Sequence, residues 1–295
     1  MTPLLRVIIV SYNTRDLLAR CLDAVFREQE EVDCEITVVD NGSADGSAAM
    51  VREQYPKVTL FAGSTNLGFA AANNLAARKA REELLFLLNP DTVMQPGCLA
   101  AVREYMAEHP EVGMAGTMIL DADTSPHDSL EYEYPGQRYY PSLGRGLPGK
   151  IAWILGASLV VRRNVYQAVN GFDERFFLYA EDIDLSLRIR QQGWHLGYIE
   201  GAQVVHFEGR SERSAPVRKV LERKTRAEYI FLHKHYPHKI FKKIRRIRLL
   251  QAWWRIVSLR CAGALLGADS NREWKLVKYQ VVIQVFSQGR GKTAA

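Results

Sequence analysis

Glu181 and Asp182 stand side by side, with Asp184 two positions on, in the run FFLYAEDIDLSLRIRQQGW (176–194). An aromatic-rich approach (Phe176, Phe177, Tyr179) meets the three acids, a helical run follows, and Gly193 stops it. Acids in a first helical turn complement the helix dipole, and capping alone would explain them. A carboxylate held there can also act as a general base, taking the proton of an attacking hydroxyl.

Four further sites have residue types suited to chemistry. Asp40, in VVDNGSADGS, can accept from a base N–H or a ribose hydroxyl, or it belongs to a turn made by Asn41-Gly42-Ser43. Asn66-Leu67-Gly68-Phe69 precedes a helix carrying Asn73 and Asn74. Gly68 lets backbone approach a phosphate, and ordinary helix initiation is the alternative. Asn89-Pro90-Asp91 follows the apolar run LLFLL, where hard oxygen ligands suit Mg²⁺ or Mn²⁺ on a pyrophosphate, or where Pro90 merely fixes a turn. One carboxylate is a thin metal site, and His206, after Val204-Val205, is the candidate second ligand or a packing residue. There is no GxGxxG after the first strand and no GxxxxGK[ST], which argues against dinucleotide oxidoreductases and P-loop enzymes.

The elements that must position these residues alternate. LRVIIVSYN, CEITVVDNGS, KVTLFAGSTN and ELLFLLNPDT read as strands. RDLLARCLDAVFRE, ADGSAAMVREQY, GFAAANNLAARKA and PGCLAAVREYMAEHP read as the helices between them. This βαβα order predicts a Rossmann-like, mostly parallel sheet flanked by helices, with ligands beyond the carboxyl ends of its strands. Each of the four strands ends in a polar cluster, so one edge gathers the candidate site. From about Met114 to Lys150 the pattern loosens, and DADTSPHDSLEYEYPGQRYYPSLGRGLPGK (121–150), rich in Tyr, Pro and Gly, reads either as a mobile functional loop or as a poorly ordered stretch. AWILGASLVVRR reads as one strand, HLGYIEGAQVVHFEG as a strand pair, and the chain beyond as basic and helical.

The 295 residues, 47% hydrophobic and 24% charged, are enough for one large domain with an appendage and exclude wholesale disorder. Cys21, Cys34, Cys98 and Cys261 form no CxxC pair, which fits a reducing compartment and neither a disulfide framework nor a zinc site. The apolar run Val7–Val10 is too short for a signal peptide, and no apolar stretch reaches the ~20 residues of a spanning helix. Residues 206–260 hold 16 Lys and Arg against 4 Asp and Glu, a net of +12 within an overall +6, so the rest of the chain is acidic.

In order and type, VIIVSYN (7–13), VVDNGSADGS (38–47), NLGFAAANN (66–74), LLNPDT (87–92), GASLVVRR (156–163), GFDERFFLYAEDIDLSLRIRQQGW (171–194) and VVHFEGRS (204–211) resemble the inverting family-2 glycosyltransferases of the GT-A fold. The likeness is strongest to the rhamnosyltransferase-like members that build bacterial surface polysaccharides, and it spans about two-thirds of the chain. It implies a catalytic domain over 1–211 and a basic helical region over 212–295. Ser11, Tyr12, Asn13 and Asp40 would line the nucleoside. Asn66, Gly68 and Asn73 would lie beside the nucleotide and pyrophosphate. Asn89-Pro90-Asp91 stands in the place of the family's DxD motif, with Asp91 and His206 as ligands of a divalent cation, Mg²⁺ or Mn²⁺. Asn89 departs from the motif: it can accept a ribose hydroxyl but brings no charge to a metal.

The resemblance also implies the reaction. A sugar leaves a nucleotide pyrophosphate while an acceptor hydroxyl attacks the anomeric carbon from the opposite face. Asp182 is the expected base, kept ionised by the helix start, and Glu181 is expected to bind acceptor hydroxyls. Trp153 is expected either to flank the acceptor or to sit in the core. Tyr132, Tyr134, Tyr139 and Tyr140 are expected to form an acceptor-side lid. The donor is dTDP-L-rhamnose by similarity, with a UDP-sugar or a silent donor-binding paralogue as alternatives. The acceptor is a glycan or a lipid-linked saccharide.

In residues 239–257, Ile240, Ile244, Ile247 and Trp254 share a stripe among many Lys and Arg. That pattern suits a helix on an anionic membrane surface, the favoured reading, with a solvated helix packed on the catalytic domain or a second subunit as the alternative. The resulting expectation is a cytoplasmic enzyme, peripheral at the inner face of the cytoplasmic membrane. A nucleic-acid role for the basic region would leave the acid pair without purpose.

Overall fold

The computed structural model describes residues 4–207, 216–266 and 269–288. Two compact units divide the chain. One takes in the residues up to Tyr134, 144–177, and the stretch from Glu181 through the last strand. The other takes in Pro135–Leu143, Leu178–Ala180 and the C-terminal helices. The expected boundary at 211/212 lies outside the described residues, as do Glu208 to Ser211 of the VVHFEGRS motif.

The first unit is built on an eight-stranded sheet. Its first half follows the expected alternation: β1 (Leu5–Ser11), α1 (Arg15–Glu28), β2 (Cys34–Asp40), α2 (Ser47–Gln54), β3 (Thr59–Ala62), α3 (Phe69–Ala77), β4 (Leu84–Leu88). β1, β2, β3 and β4 pair in parallel, so Ser11, Asp40, Ala62 and Leu88 end at one edge. The inner strands, buried on both faces, read as unbroken apolar runs. Ile8, Leu85 and Leu87 face a cluster with Ala72 and Ala76 of α3, while Val7, Ile9 and Phe86 face Leu18, Leu22 and Val25 of α1.

The second half departs from the reading. β5 (Thr92–Met94) and α4 (Cys98–Glu108) follow the Pro90 turn, and then β6 (Val112–Leu120) forms where the pattern loosens and no strand is expected. VGMAGTMIL is small and glycine-bearing, so its strand character comes from its neighbours. Gly116 admits Ile154, whose side chain would lie 2.5 Å from an added Cβ.

AWILGASLVVRR is not one strand. Trp153–Ile154 (β8) pairs with Leu130–Glu131 (β7) in a separate ribbon, and β9 (Ser158–Arg162) enters the main sheet. β9 runs antiparallel between β4 and β6. α5 (Arg163–Ala168) and α6 (Glu181–Gln191) follow. HLGYIEGAQVVH is a single strand, β10 (His195–His206), with an irregularity between Ile199 and Gln203 in place of a turn. The sheet order is β3-β2-β1-β4-β9-β6-β10-β5.

The second unit holds α7 (Val217–His235), α8 (His238–Leu266) and α9 (Ser270–Gln288). Tyr229 is its centre, with edge-on rings at Phe241 (5.3 Å) and Phe286 (5.4 Å). Tyr236 donates to the Pro135 carbonyl at 2.7 Å, and Lys224 lies 4.8 Å from the Tyr179 ring.

The stripe read on α8 does not survive as one face. Ile244 is buried, Ile240 and Ile247 are half-buried, and Trp254 is exposed. The inward face is Phe241, Ile244, Ala252 and Ile256; the outward one carries Leu250, Trp253, Trp254 and Val257. Packing among three helices selected the inward set, which the sequence alone does not single out. No helix among the described residues is long and apolar enough to cross a membrane.

Candidate functional site

The parallel strand ends carry the first candidates. Ser11 is buried and its hydroxyl meets Thr14 at 2.8 Å, while Tyr12 is exposed. Asn13 has φ 53°; its N–H donates to the Ser43 hydroxyl, and its side-chain oxygen accepts from Ala44 N–H at 2.8 Å. Asn13 therefore ties the β1 loop to the β2 loop. Asp40 does two things at once. One carboxylate oxygen accepts from Ser43 N–H at 3.2 Å, as a turn residue would. The other is buried without a partner, an open acceptor of the kind a donor N–H or hydroxyl would satisfy.

Asn41, read only as a turn former, organises the next loop. Its side chain donates to Asn66 at 2.9 Å and to the Gly68 carbonyl at 3.2 Å, and accepts from Leu67 N–H at 2.8 Å. Asn66 also accepts from Gly68 N–H. Gly68 has φ +86°, and an added Cβ would sit 2.6 Å from the Phe177 carbonyl, so glycine is required there. Asn73 is buried and its amide donates to Phe69 in its own helix at 3.0 Å; it serves that helix.

Asp91 and His206 meet. His206 is paired opposite Thr92 in the β5–β10 ladder, and Phe207 N–H donates to the Asp91 carbonyl at 2.9 Å. His206 Nε2 then lies 3.2 Å from Asp91 Oδ1, with both groups buried. Two adjacent ligands of an octahedral Mg²⁺ or Mn²⁺, each roughly 2.1 Å from the metal, are about 3 Å apart, so the pair suits such a cation. His206 Nδ1 is buried without a partner. Among the described residues no group of three or more His, Cys, Asp or Glu gathers. Asn89 uses its backbone: its carbonyl accepts from Thr92 Oγ1 at 2.6 Å and its N–H donates to Ala157 at 2.9 Å.

That last bond leads to the acid pair. Gly156, adjacent to Ala157, donates its N–H to Asp182 Oδ2 at 2.9 Å, and Ile183 N–H donates to Oδ1 at 2.8 Å. A side chain at Gly156 would press on Asp182 at 3.3 Å. Because β9 is reversed, the residues feeding it lie at the edge where β4 ends, and the Gly156-Ala157 backbone joins Asp182 to the Asn89-Pro90-Asp91 turn. Gly156 and Asn41 hold candidate site residues in place and were not singled out in the sequence; the spacing of GAS from the ED pair carries no local signal.

Backbone N–H groups at the helix start are one of two opposed influences on Asp182. Burial raises its pKa, against which the N–H groups of Gly156 and Ile183 pull down. Burial and then the charge of Asp182 push Glu181 well above the usual carboxylate range, and Glu181 Oε2 is buried without a partner. The third acid, Asp184, is fully buried and pairs with Arg188 at 2.7 Å, a structural role.

Trp153 is half-buried, with its indole N–H on the Glu133 carbonyl at 3.2 Å. The lid expectation fails for Tyr134, which is buried with its hydroxyl on Arg190 at 2.8 Å. Tyr140 packs on Tyr236 within the second unit, and Tyr132 is exposed.

A family model, "Glycosyl transferase family 2", matches residues 6–169. The chain is 30% identical over 269 residues to the N-acetylglucosaminyl-diphospho-decaprenol L-rhamnosyltransferase of Mycobacterium tuberculosis, covering 79% of this chain and 85% of that one. It is 25% identical over 228 residues to the rhamnosyltransferase WbbL of Escherichia coli K12, covering 70% and 85%. Among solved structures it is similar to the mannosyltransferase PcManGT of Pyrobaculum calidifontis in complex with GDP-Man and Mn²⁺, with a TM-score of 0.64 at 19% identity, covering 100% of this chain and 89% of that one. That likeness is one of fold, and the sheet with its reversed β9 is the GT-A arrangement. With the family match over more than half its length, the chain is a glycosyltransferase and belongs to glycosyl transferase family 2.

Proposed function

We propose that this enzyme transfers L-rhamnose from dTDP-L-rhamnose to a hydroxyl of a lipid-linked saccharide, inverting the anomeric centre. The observation that carries the reading is the link through Gly156-Ala157, which ties a buried base, Asp182, to the Asn89-Pro90-Asp91 turn, whose Asp91 is met by His206 from β10. The named substrate of the Mycobacterium tuberculosis relative, a sugar on a polyprenyl diphosphate, supports the choice of acceptor.

Asp182 takes the proton of the acceptor hydroxyl as its oxygen bonds to the anomeric carbon. The bond from that carbon to the donor pyrophosphate breaks on the opposite face. Burial makes Asp182 a stronger base than a solvated carboxylate, which favours proton transfer. Glu181 Oε2, unpartnered inside the site, is placed to hold an acceptor hydroxyl. Asp40, with its open oxygen, would take a hydrogen bond from the nucleoside. Asp91 and His206 would hold a divalent cation, which when bound offsets charge developing on the leaving pyrophosphate.

The basic second unit would bring the enzyme to its acceptor at the inner face of the cytoplasmic membrane. Leu250, Trp253, Trp254 and Val257 are 70%, 61%, 69% and 47% exposed on one face of α8, and Lys239, Lys242, Lys243 and Arg246 are exposed toward its start. Exposed tryptophans beside cations suit an anionic headgroup layer.

A transfer and hydrolysis screen over dTDP- and UDP-sugars, with and without Mn²⁺ or Mg²⁺, tests the reading on a GlcNAc-diphospho-polyprenol acceptor. Metal-dependent transfer from dTDP-L-rhamnose is expected. Turnover of a UDP-sugar instead would replace the donor, and binding without turnover would make the chain a silent donor-binding paralogue.

A further inference from the structure

Asn74 lies in α3, the helix that begins at the Asn66–Gly68 loop, and it is almost fully buried. Its side-chain amide pairs with Phe172 as a neighbouring strand would. Asn74 Oδ1 accepts from Phe172 N–H at 3.0 Å, and Nδ2 donates to the Phe172 carbonyl at 2.9 Å. The same two atoms take a third and a fourth partner. Tyr166 OH donates to Oδ1 at 2.6 Å, and Nδ2 donates to Glu174 at 3.0 Å. Only an amide supplies donor and acceptor together in this shape. Gly171 has φ +62°, and an added Cβ would lie 2.4 Å from Asn74 Oδ1, so the chain is threaded against the amide with no room between.

A second attachment lies five residues on. Phe69, at the start of α3, donates its N–H to the Phe177 carbonyl at 2.8 Å, and Gly68 packs against the same residue. Phe69 and Phe172 also pack ring to ring at 5.8 Å. The segment Phe172–Phe177 is thus fastened to α3 at both ends. Four positions after it come Glu181 and Asp182, approached through Tyr179 and Ala180 at φ 75° and 61°. A backbone that enters the acids in the left-handed region has little slack to absorb a shift upstream.

We propose that Asn74 is a positioning residue: it latches the segment leading into Glu181-Asp182 to the helix that starts at the donor-side loop, so that base and donor loop share one frame. The proposal rests on the glycosyl-transfer reading for its kinetic consequence, and on the hydrogen bonds alone for its structural one.

Asn74→Ala removes all four bonds. Asn74→Asp keeps the acceptor, loses the donor, and sets a second carboxylate against Glu174. Tyr166→Phe removes one bond and keeps the ring, which provides a mild variant should the others fail to fold. In folded variants, donor affinity by calorimetry stays at the wild-type value while kcat for transfer falls by about 10–100-fold, the scale of a small misplacement of reacting groups. The acid limb of the pH–kcat profile moves to lower pH as water reaches a loosened Asp182. Amide exchange quickens in 172–177 and in the first turn of α6 and is unchanged in β2. Tyr166→Phe moves each readout in the same direction and less far.

Wild-type kcat and an unmoved acid limb in a folded Asn74→Ala enzyme overturn the latch, as does unchanged exchange in 172–185. A wild-type protein that binds no sugar nucleotide overturns the glycosyl-transfer reading instead, and the exchange comparison still decides the latch.

Discussion

Asp182 and Glu181 are neighbours under different constraints. Both oxygens of Asp182 accept a backbone N–H, whereas Glu181 Oε2 has no partner and the larger upward push. A free carboxyl titrates near 4. With the folded value raised, the native state keeps a proton over a pH window in which the unfolded chain has released it. Stability then falls as pH rises through that window, and the full cost persists above it. Glu181→Gln should therefore raise Tm at neutral pH, and the gain should vanish on acidification below the unfolded value. Asp182→Asn should gain less, because an amide cannot accept both N–H groups, while kcat drops by about 10²–10⁴-fold, the worth of a general base. Calorimetric scans across pH with initial rates check both. A Glu181→Gln variant that is less stable at pH 7 than at pH 4, relative to wild type, would refute the account. At this scale the acid pair was legible, because two adjacent acids at a helix start stand out in any sequence. Asn41 and Gly156 were not, since each acts through bonds to residues far along the chain.

Elements decide which of the candidates meet. The alternation up to β4 was readable because each strand is a compact apolar run bounded by polar ends. β6 was not, because Gly113, Gly116 and Ala115 give it little pattern of its own, and the reversal of β9 leaves no mark in AWILGASLVVRR. Gly68 tests how an element holds a loop. Gly68→Ala meets the Phe177 carbonyl and a positive φ together; Gly97→Ala, at φ +82°, meets nothing within 4 Å. The second change should cost only the backbone term of about 1–2 kcal/mol. The first should cost more in thermal denaturation, and should also weaken donor binding by calorimetry. Equal losses in the two variants would mean that the Gly68–Phe177 approach relaxes freely and does not shape the loop.

The whole chain joins an enzyme sheet to a basic helical unit, and that division of character was visible in the charge count alone. Which side of α8 faces outward was not, because its apolar residues exceed one stripe and only packing around Tyr229 chooses among them. Leu250, Trp253, Trp254 and Val257, spaced i, i+3, i+4 and i+7, make the outward face. The protein should float with phosphatidylglycerol vesicles at moderate salt and poorly with phosphatidylcholine ones. Trp253→Ala with Trp254→Ala should abolish flotation and leave donor binding unchanged. A variant that floats as well as wild type removes the membrane role from this face, and concentration-dependent self-association would assign it to a second copy.

The pairing of β10 with β5 has a bearing on synthesis. The half-sheet through β4 is complete once residue 88 has left the ribosome, but Asp91 cannot meet His206 until the chain has grown to that histidine. Contacts this distant in sequence close late, because the intervening loop must be ordered first. A nascent or truncated chain would therefore present the strand ends that surround Asp40 without the Asp91–His206 pair, and under the proposed cation role of that pair, transfer would wait until β10 is in place.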